Sequence, residues 1–307
     1  MPRFFSSDRL LCWRLSNHCN RSCAFCLSRS GPRQAHPQAD AAATAARLHA
    51  LGVEKISWSG GEPTLFPGFE QLVETVDRLG MAQLLTTNGD ALAVAIPAWV
   101  STFEYVKLSF YGDRALHDAA MGAGHHDEQL ALALRLKERH GVIVGVNFML
   151  TPASLPAVPQ FLDDCRRARI DNVMFQTYIF NRRPKVDRAN EFRLEADRLA
   201  LLAAAATRFA GAFAGGIKVH DYAVSDWFMV LTPEGVLTLP SSSAAPDFVM
   251  GPIAGDSLDT PDGRMPAAQA LAHLWRRRAA TPSVIVLDEG LARDVHPAAR
   301  RPAAQEG

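Results

Sequence analysis

Short apolar or alternating segments recur along the first two thirds of the chain, and each is followed by a longer segment with helical periodicity. The short segments predict strands at about 11–17, 54–59, 82–87, 104–110, 142–149 and 172–178. The longer segments predict helices near 38–51, 68–80, 90–99, 127–140, 153–168 and 194–211. Six strand–helix units in series require a parallel sheet with right-handed crossovers. The predicted fold class is therefore α/β, a partial (β/α)6 TIM-like barrel.

The hydrophobic pattern changes after about Gly216. Residues 227–239, WFMVLTPEGVLTL, predict a β-hairpin around a TPEG turn. The segment 240–266 is rich in Pro, Gly, Ser and Asp, which predicts a long loop before a short helix near 266–279. We therefore expect three parts, namely a barrel over 1–215, a small C-terminal α+β extension over 216–295 and a disordered tail over 296–307.

Composition and charge narrow the functional class. The chain has 307 residues, 48% of them hydrophobic, with 32 basic residues against 32 acidic ones. A net charge of zero argues against binding to a nucleic acid polymer or to an anionic membrane surface. The chain has no signal-peptide pattern and no apolar run of about 18 residues, so we expect a soluble cytoplasmic protein. Of the 5 cysteines, three lie within 19–26, which indicates a metal or cluster site rather than a disulfide framework.

Three cysteines form the motif C-x3-C-x2-C. Cys19, Cys23 and Cys26 lie in the segment NHCNRSCAFC, just after the first predicted strand. Parallel barrels carry their chemistry at this carboxyl end of the strands. Three thiolates on a tight loop can ligate three irons of a [4Fe–4S] cluster and leave the fourth iron open to an exogenous ligand. The alternative is a zinc site completed by His18.

The second predicted strand ends in the turn Ser59-Gly60-Gly61-Glu62-Pro63. Two glycines allow the backbone to approach a ligand closely, and the glutamate can accept a hydrogen bond from an ammonium group. Together, the cysteine motif and this turn resemble the radical SAM superfamily over about residues 11–215. The resemblance implies an enzyme in which one [4Fe–4S] cluster, held by Cys19, Cys23 and Cys26, binds S-adenosylmethionine (SAM) through its amine and carboxylate.

The resemblance also implies further cofactor contacts. Phe25 matches the aromatic residue that lies against the adenine, and the GGE turn matches the segment that holds the methionine amine. The third strand ends in TTNG (86–89), similar to the branch that contains the molybdopterin cyclase and the SPASM enzymes. Ser109 matches a serine that contacts the ribose, although Phe110-Tyr111 interrupts the usual SLDG. The predicted cofactor-binding residues are Phe25, Ser59, Gly60, Gly61, Glu62, Thr87, Asn88, Ser109 and Asn147.

Strand periodicity selects the residues that face the barrel interior. On the fourth strand, Lys107, Ser109 and Tyr111 share one face, and the same alternation turns Asn147, Gln176 and Tyr178 inward. An unpaired buried charge is costly, so Lys107 needs a partner or a ligand. We predict that the catalytic residues are Lys107, Gln176 and Tyr178. The alternative for each is a hydrogen-bonded interior residue without a role in the reaction.

A basic loop follows the sixth predicted strand. Arg182, Arg183 and Lys185 come to the same rim as the cysteine motif, where planar guanidinium groups suit a phosphate or carboxylate. Together with Tyr111 they are the predicted substrate-binding residues. The alternative is a solvated loop whose charges pair with Asp187 and Glu191.

The sequence favours structural roles for the remaining cysteines and for three histidines. Cys12 and Cys165 are predicted to be small buried residues. His117, His125 and His126 follow the fourth strand in a predicted loop, where solvated or capping roles are favoured. SPASM relatives carry ligands for auxiliary clusters in the C-terminal region, but no cysteine follows Cys165, so a single cluster is predicted.

The function predicted from these features is reductive cleavage of SAM to a 5′-deoxyadenosyl radical that abstracts hydrogen from a small polar metabolite. A nucleotide- or nucleoside-derived substrate is favoured by a weak similarity to viperin-like enzymes. The expected partners are this substrate and a flavodoxin- or ferredoxin-like reductant. The alternatives are a radical SAM enzyme that modifies peptides, a cluster-bearing electron-transfer protein and a zinc-binding interaction module.

Overall fold

The computed structural model describes residues 9–23, 26, 35–177, 196–220, 229–240, 247–280 and 284–286. Its strands are β1 (Leu10–Arg14), β2 (Lys55–Ser59), β3 (Ala82–Thr87), β4 (Tyr105–Phe110), β5 (Ile143–Met149), β6 (Asn172–Gln176), β7 (Ile217–His220), β8 (Val230–Leu231), β9 (Val236–Leu239), β10 (Phe248–Pro252), β11 (Ser257–Thr260), β12 (Gly263–Pro266) and β13 (Val284–Val286). Its helices are α1 (Gln38–Ala50), α2 (Phe69–Arg78), α3 (Asp90–Val94), α4 (Arg114–Met121), α5 (His125–His140), α6 (Val158–Arg167), α7 (Ala196–Thr207) and α8 (Ala267–Ala280).

One sheet of eleven strands organises the described residues, in the order β10-β9-β8-β1-β2-β3-β4-β5-β6-β7-β13. Strands β1 to β7 are parallel to one another in sequence order, as strand–helix units dictate. Within the described ranges, the two ends of the sheet do not pair with each other, so the barrel formed by these residues is open. This architecture confirms the predicted α/β class and the partial barrel.

The face of each parallel strand that points away from the interior packs against the helices. Val106 and Leu108 of β4 are fully buried there, as the alternation predicts. On β1 and β2, which are adjacent in the sheet, the indole rings of Trp13 and Trp58 stack with their centroids 5.3 Å apart. The Trp58 indole N–H donates to Gln83 Oε1 at 2.8 Å, which satisfies a polar atom inside this core.

The predicted hairpin is confirmed, because β8 and β9 pair antiparallel, but the prediction of a long loop over 240–266 is wrong. In the described part of that segment, β10 pairs with β9, and β11 and β12 form a separate hairpin. The glycines and prolines of this segment are typical of a loop, but the backbone of β10 forms strand pairs with β9. The following helix, α8, has 14 residues.

Two further differences concern the barrel itself. A seventh parallel strand, β7, follows β6, although the pattern predicts six. It has only 4 residues, too few to show a clear alternation. The helix predicted over 90–99 ends at Val94, because Pro97 interrupts it before a short 3-10 turn over 98–102.

No helix in the described part of the chain is long and apolar enough to cross a membrane. The predicted tail over 296–307 lies outside the described residues. The division at residue 216 stays a prediction.

Candidate active site

A cavity of about 320 Å³ lies inside the open barrel, where the cysteine motif and the carboxyl ends of the strands meet. The predicted site residues that line it are Cys19, Cys23, Cys26, Ser59, Gly60, Gly61, Glu62, Thr87, Asn88, Lys107, Ser109, Tyr111, Asn147 and Gln176. The remaining predicted residues, Phe25, Tyr178, Arg182, Arg183 and Lys185, lie outside the described residues. The described members of the predicted set therefore share one cavity.

The three cysteines of the motif are free thiols at the mouth of this cavity. Burial and the charges of Cys26 and Cys19 raise the pKa of Cys23 to about 11, and burial raises the pKa of Cys19. The sulfurs are thus close enough to influence one another's ionisation. Three soft thiol donors on one loop fit an iron–sulfur cluster, whose binding would displace their protons.

The GGE turn packs directly on the backbone that leads to the first cysteine. The Gly61 N–H donates to the Ser16 carbonyl at 2.6 Å, and the Glu62 N–H donates to the His18 carbonyl at 2.7 Å. A Cβ on Gly61 would lie 1.8 Å from the His18 oxygen, and one on Gly60 would lie 2.3 Å from the Ser16 oxygen. Only glycine allows this close approach.

Glu62 connects the turn after β2 to the end of β3. Its Oε1 accepts hydrogen bonds from the Thr64 and Thr87 hydroxyls, both at 2.8 Å, while Oε2 accepts the Asn88 N–H at 2.8 Å. Burial raises the pKa of Glu62, and these hydrogen bonds oppose the rise. Because a carboxylate oxygen has two lone pairs, Oε2 keeps the capacity to accept one further donor, such as an ammonium group.

Asn147 supplies a second feature that fits a ligand. Its Oδ1 atom is buried and has no hydrogen-bond partner among the described residues, although the residue lines the cavity. Buried polar atoms are rarely left without a partner, so this oxygen suits a hydroxyl donor of a bound molecule. The predicted contact to SAM at this position is consistent with that chemistry.

The segment after β3 holds the cysteine loop in place. Asn88 Nδ2 donates to Asn20 Oδ1 at 2.8 Å, and Arg21 donates to both carboxylate oxygens of Asp90, at 2.6 and 2.7 Å. Sequence reasoning missed Arg21 and Asp90, because the partners are 69 positions apart and neither is one of the defining residues of the cysteine motif or of the TTNG segment. Their pairing orients the loop between Cys19 and Cys23.

The prediction that His117, His125 and His126 are solvated or cap a loop is wrong. His117 lies on α4 and the other two begin α5, and all three side chains are buried. Only 122–124 separate the two helices, and the glycines in that short connection made the whole segment resemble a loop.

Two of these histidines form a hydrogen-bonded chain. The Tyr111 N–H donates to His117 Nδ1 at 3.0 Å, His117 Nε2 lies 2.8 Å from His125 Nδ1, and His125 Nε2 lies 2.9 Å from Asp90 Oδ1. Because Nδ1 of His117 accepts a backbone donor, its proton must be on Nε2, which then donates to His125. The chain therefore links Tyr111, at the cavity, to the aspartate that orients the cysteine loop.

We expect this chain to make stability depend on pH. Burial, together with the neighbouring His125 and His126, lowers the pKa of His117 from 6.5 to about 3. Between these values the unfolded chain binds a proton that the folded chain excludes, so the free energy of unfolding falls as the pH falls below about 6.5. The excluded proton of His117 changes the free energy of unfolding by about 1.4 kcal/mol per pH unit in this range.

In the His117→Gln variant, the free energy of unfolding should depend less steeply on pH between about pH 6.5 and 4.5. Denaturant titrations of the metal-free protein at a series of pH values measure this dependence. His49→Gln, on the exposed face of α1, is the control for removal of an imidazole. An unchanged slope in His117→Gln would show that the histidine is protonated in the folded protein.

Comparison with known proteins agrees with this geometry. A family model described as the radical SAM superfamily matches residues 13–153. The chain is 27% identical to the pre-heme d1 synthase of Dinoroseobacter shibae, over 58% of this chain and 46% of that protein. It is 26% identical to an S-adenosylmethionine-dependent nucleotide dehydratase of a Thermoplasmatales archaeon, over 50% of this chain and 56% of that protein. The chain thus spans about half the length of these curated relatives.

Solved structures show the same fold. The crystal structure of Streptococcus suis SuiB bound to the precursor peptide SuiA superimposes with a TM-score of 0.61 and 20% identity, over 76% of this chain and 59% of that chain. Identity this low supports the shared fold alone.

Proposed function

Because this chain belongs to the radical SAM superfamily, we propose that it binds one [4Fe–4S] cluster and SAM and abstracts hydrogen from a small polar metabolite. The observation that carries the proposal is that the cysteine motif and the GGE turn meet at one cavity inside the barrel. When bound, the cluster and SAM supply reductive cleavage of the cofactor to methionine and a 5′-deoxyadenosyl radical, which takes the hydrogen atom.

The residues of this chain would bind and orient these groups. Cys19, Cys23 and Cys26 would hold three irons, which leaves the fourth iron for the methionine end of SAM. The free lone pair on Glu62 Oε2, together with the GGE turn, would receive the methionine amine. Ser109 and Asn147, on adjacent strands and paired in register, would contact the ribose.

The interior residues that remain would act on the substrate. Lys107 and Gln176 line the cavity and are proposed to contact the reacting molecule, together with Tyr178. Tyr111 lies at the same cavity and is proposed to bind substrate with the loop containing Arg182, Arg183 and Lys185. The barrel would exclude water from the radical and hold the substrate in a reactive orientation.

A nucleotide- or nucleoside-derived substrate is supported by the similarity to a nucleotide dehydratase. The alternative is a peptide substrate, because the chain shares its fold with SuiB, whose structure contains a precursor peptide. Incubation with deuterated candidate substrates separates the two classes, because deuterium is transferred to 5′-deoxyadenosine only from the molecule that loses the hydrogen atom. The proposed electron donor is a flavodoxin- or ferredoxin-like protein.

The proposal is tested on anaerobically reconstituted protein. We expect about four irons per chain and, after reduction with dithionite in the presence of SAM, the release of 5′-deoxyadenosine and methionine. Iron without deoxyadenosine would indicate an electron carrier, and zinc in place of iron would indicate an interaction module. A value near eight irons would contradict the single cluster.

Cys12 and Cys165 provide the control for the ligand assignment. Both side chains are buried, as the sequence predicts, Cys12 on β1 beside the cavity and Cys165 on α6. Replacing both with alanine should leave the iron content unchanged. A loss of iron in the double variant would show that one of them is a ligand.

A further inference from the structure

The cavity is lined by basic side chains from three separate elements. Arg14 comes from β1, Lys107 from β4 and Arg278 from α8. Among the described residues that line the cavity, Glu62 is the only one with a carboxylate, and its oxygens already accept hydrogen bonds from the ends of β2 and β3. The described lining therefore carries more basic side chains than carboxylates.

The C-terminal helix brings Arg278 to the cavity through its buried face. Leu271, Leu274 and Trp275 are buried, and the Trp275 indole N–H donates to the Leu10 carbonyl at 3.2 Å, at the start of β1. Arg278 lies three residues after Trp275 and four after Leu274, so it is on the same face of the helix. The half-buried Arg278 therefore continues an apolar stripe and reaches the cavity.

Lys107 and Arg278 are close enough to affect the ionisation of the same neighbouring groups. Burial lowers the pKa of Lys107 to about 8; the charges of Arg278 and Lys218 add to the decrease, and Cys12 opposes it. Burial also lowers the pKa of His220 to about 3, with contributions from Arg278 and Lys107. Burial raises the pKa of Cys12, which lines the same cavity, and the charges of Arg14, Lys107 and Arg278 all oppose that rise, so the three basic groups lie around one part of the cavity.

We propose that Arg14, Lys107 and Arg278 form an anion subsite that binds a phosphate or carboxylate group of the substrate. This inference rests on the proposed function, and it narrows the substrate to molecules that carry a phosphate or carboxylate group. It also gives the C-terminal helix a role in substrate binding, since Arg278 completes the subsite from outside the parallel strands. Arginine offers a planar pair of donors to such oxygens, while lysine offers a point charge.

The position of the subsite orients the substrate. Lys107 precedes Ser109 by one inward-facing step on β4, which is about 7 Å along the strand. The anionic group would then lie deeper in the barrel than the proposed ribose contact, and the rest of the molecule would extend towards the cysteine motif. This places the reacting carbon, rather than the charged group, near the cofactor.

Calorimetric titration of the reconstituted, SAM-bound enzyme with inorganic phosphate and with succinate tests the subsite without turnover. We expect saturable binding of at least one of these anions, weakened at least about tenfold in Arg278→Gln and in Lys107→Gln. Arg276→Gln is the matched control, because that side chain is exposed on the same helix, and it should keep the wild-type affinity.

Each outcome is decisive. Binding of phosphate alone assigns the subsite to a phosphate-bearing substrate, and binding of succinate alone assigns it to a carboxylate. No saturable binding of either anion, or equal affinity in wild type and both variants, overturns the proposal. Because these titrations do not depend on cleavage of SAM, their failure is distinguishable from failure of the radical chemistry.

Discussion

Replacement of Cys19, Cys23 or Cys26 with alanine is expected to abolish both the cluster absorbance and the cleavage of SAM. Each thiol would ligate a different iron, so losing one leaves an incomplete cluster rather than a weaker one. All three side chains are only partly buried, so their truncation creates no core cavity. The loss should therefore occur without unfolding, which circular dichroism can verify.

The control for this series is Cys165→Ala, since that side chain is fully buried on α6. It should lower stability while retaining the cluster and the cleavage activity per folded molecule. Retained cleavage in any of the three motif variants would refute the ligand assignment. Loss of secondary structure in those variants would instead indicate that the thiols stabilise the metal-free fold.

The motifs could be predicted from sequence because short-range geometry determines them. The cysteine loop and the GGE turn each follow a strand directly, so the parallel sheet brings both to the same edge. Inward alternation was sufficient to select Lys107, Ser109 and Asn147, because the period of a strand is fixed. The roles of these side chains towards a ligand stay predictions.

Contacts between distant segments could not be predicted in the same way. Arg278 is brought to the cavity by the packing of α8 on the start of β1, and Asp90 is brought to Arg21 by the order of the strands. The buried histidine chain requires two helices to pack closely around a glycine-containing connection. Alternation along β1 does carry a signal for Arg14, which lies two residues beyond Cys12 on the same face.

The close packing of the GGE turn predicts a large effect for Gly61→Ala. The new Cβ would lie 1.8 Å from the His18 oxygen and 2.3 Å from its carbonyl carbon, and backbone atoms cannot rotate away as a side chain can. The turn and the segment before Cys19 must therefore separate, which breaks the hydrogen bonds from Gly61 to Ser16 and from Glu62 to His18. The turn proposed to bind the methionine amine would then no longer face the proposed cluster site.

We expect Gly61→Ala to lower the rate of SAM cleavage at least about a hundredfold, since a displacement of about 1 Å suffices for such a loss. The free energy of unfolding should fall by about 1–3 kcal/mol from overpacking. Gly80→Ala is the control for replacement of a glycine by alanine, because a Cβ on Gly80 would meet no atom within 4 Å, and only its φ of +73° disfavours alanine. It should lose about 1 kcal/mol of stability and keep the wild-type cleavage rate. Equal cleavage by the two variants, measured as deoxyadenosine released per cluster, would show that the turn does not position SAM.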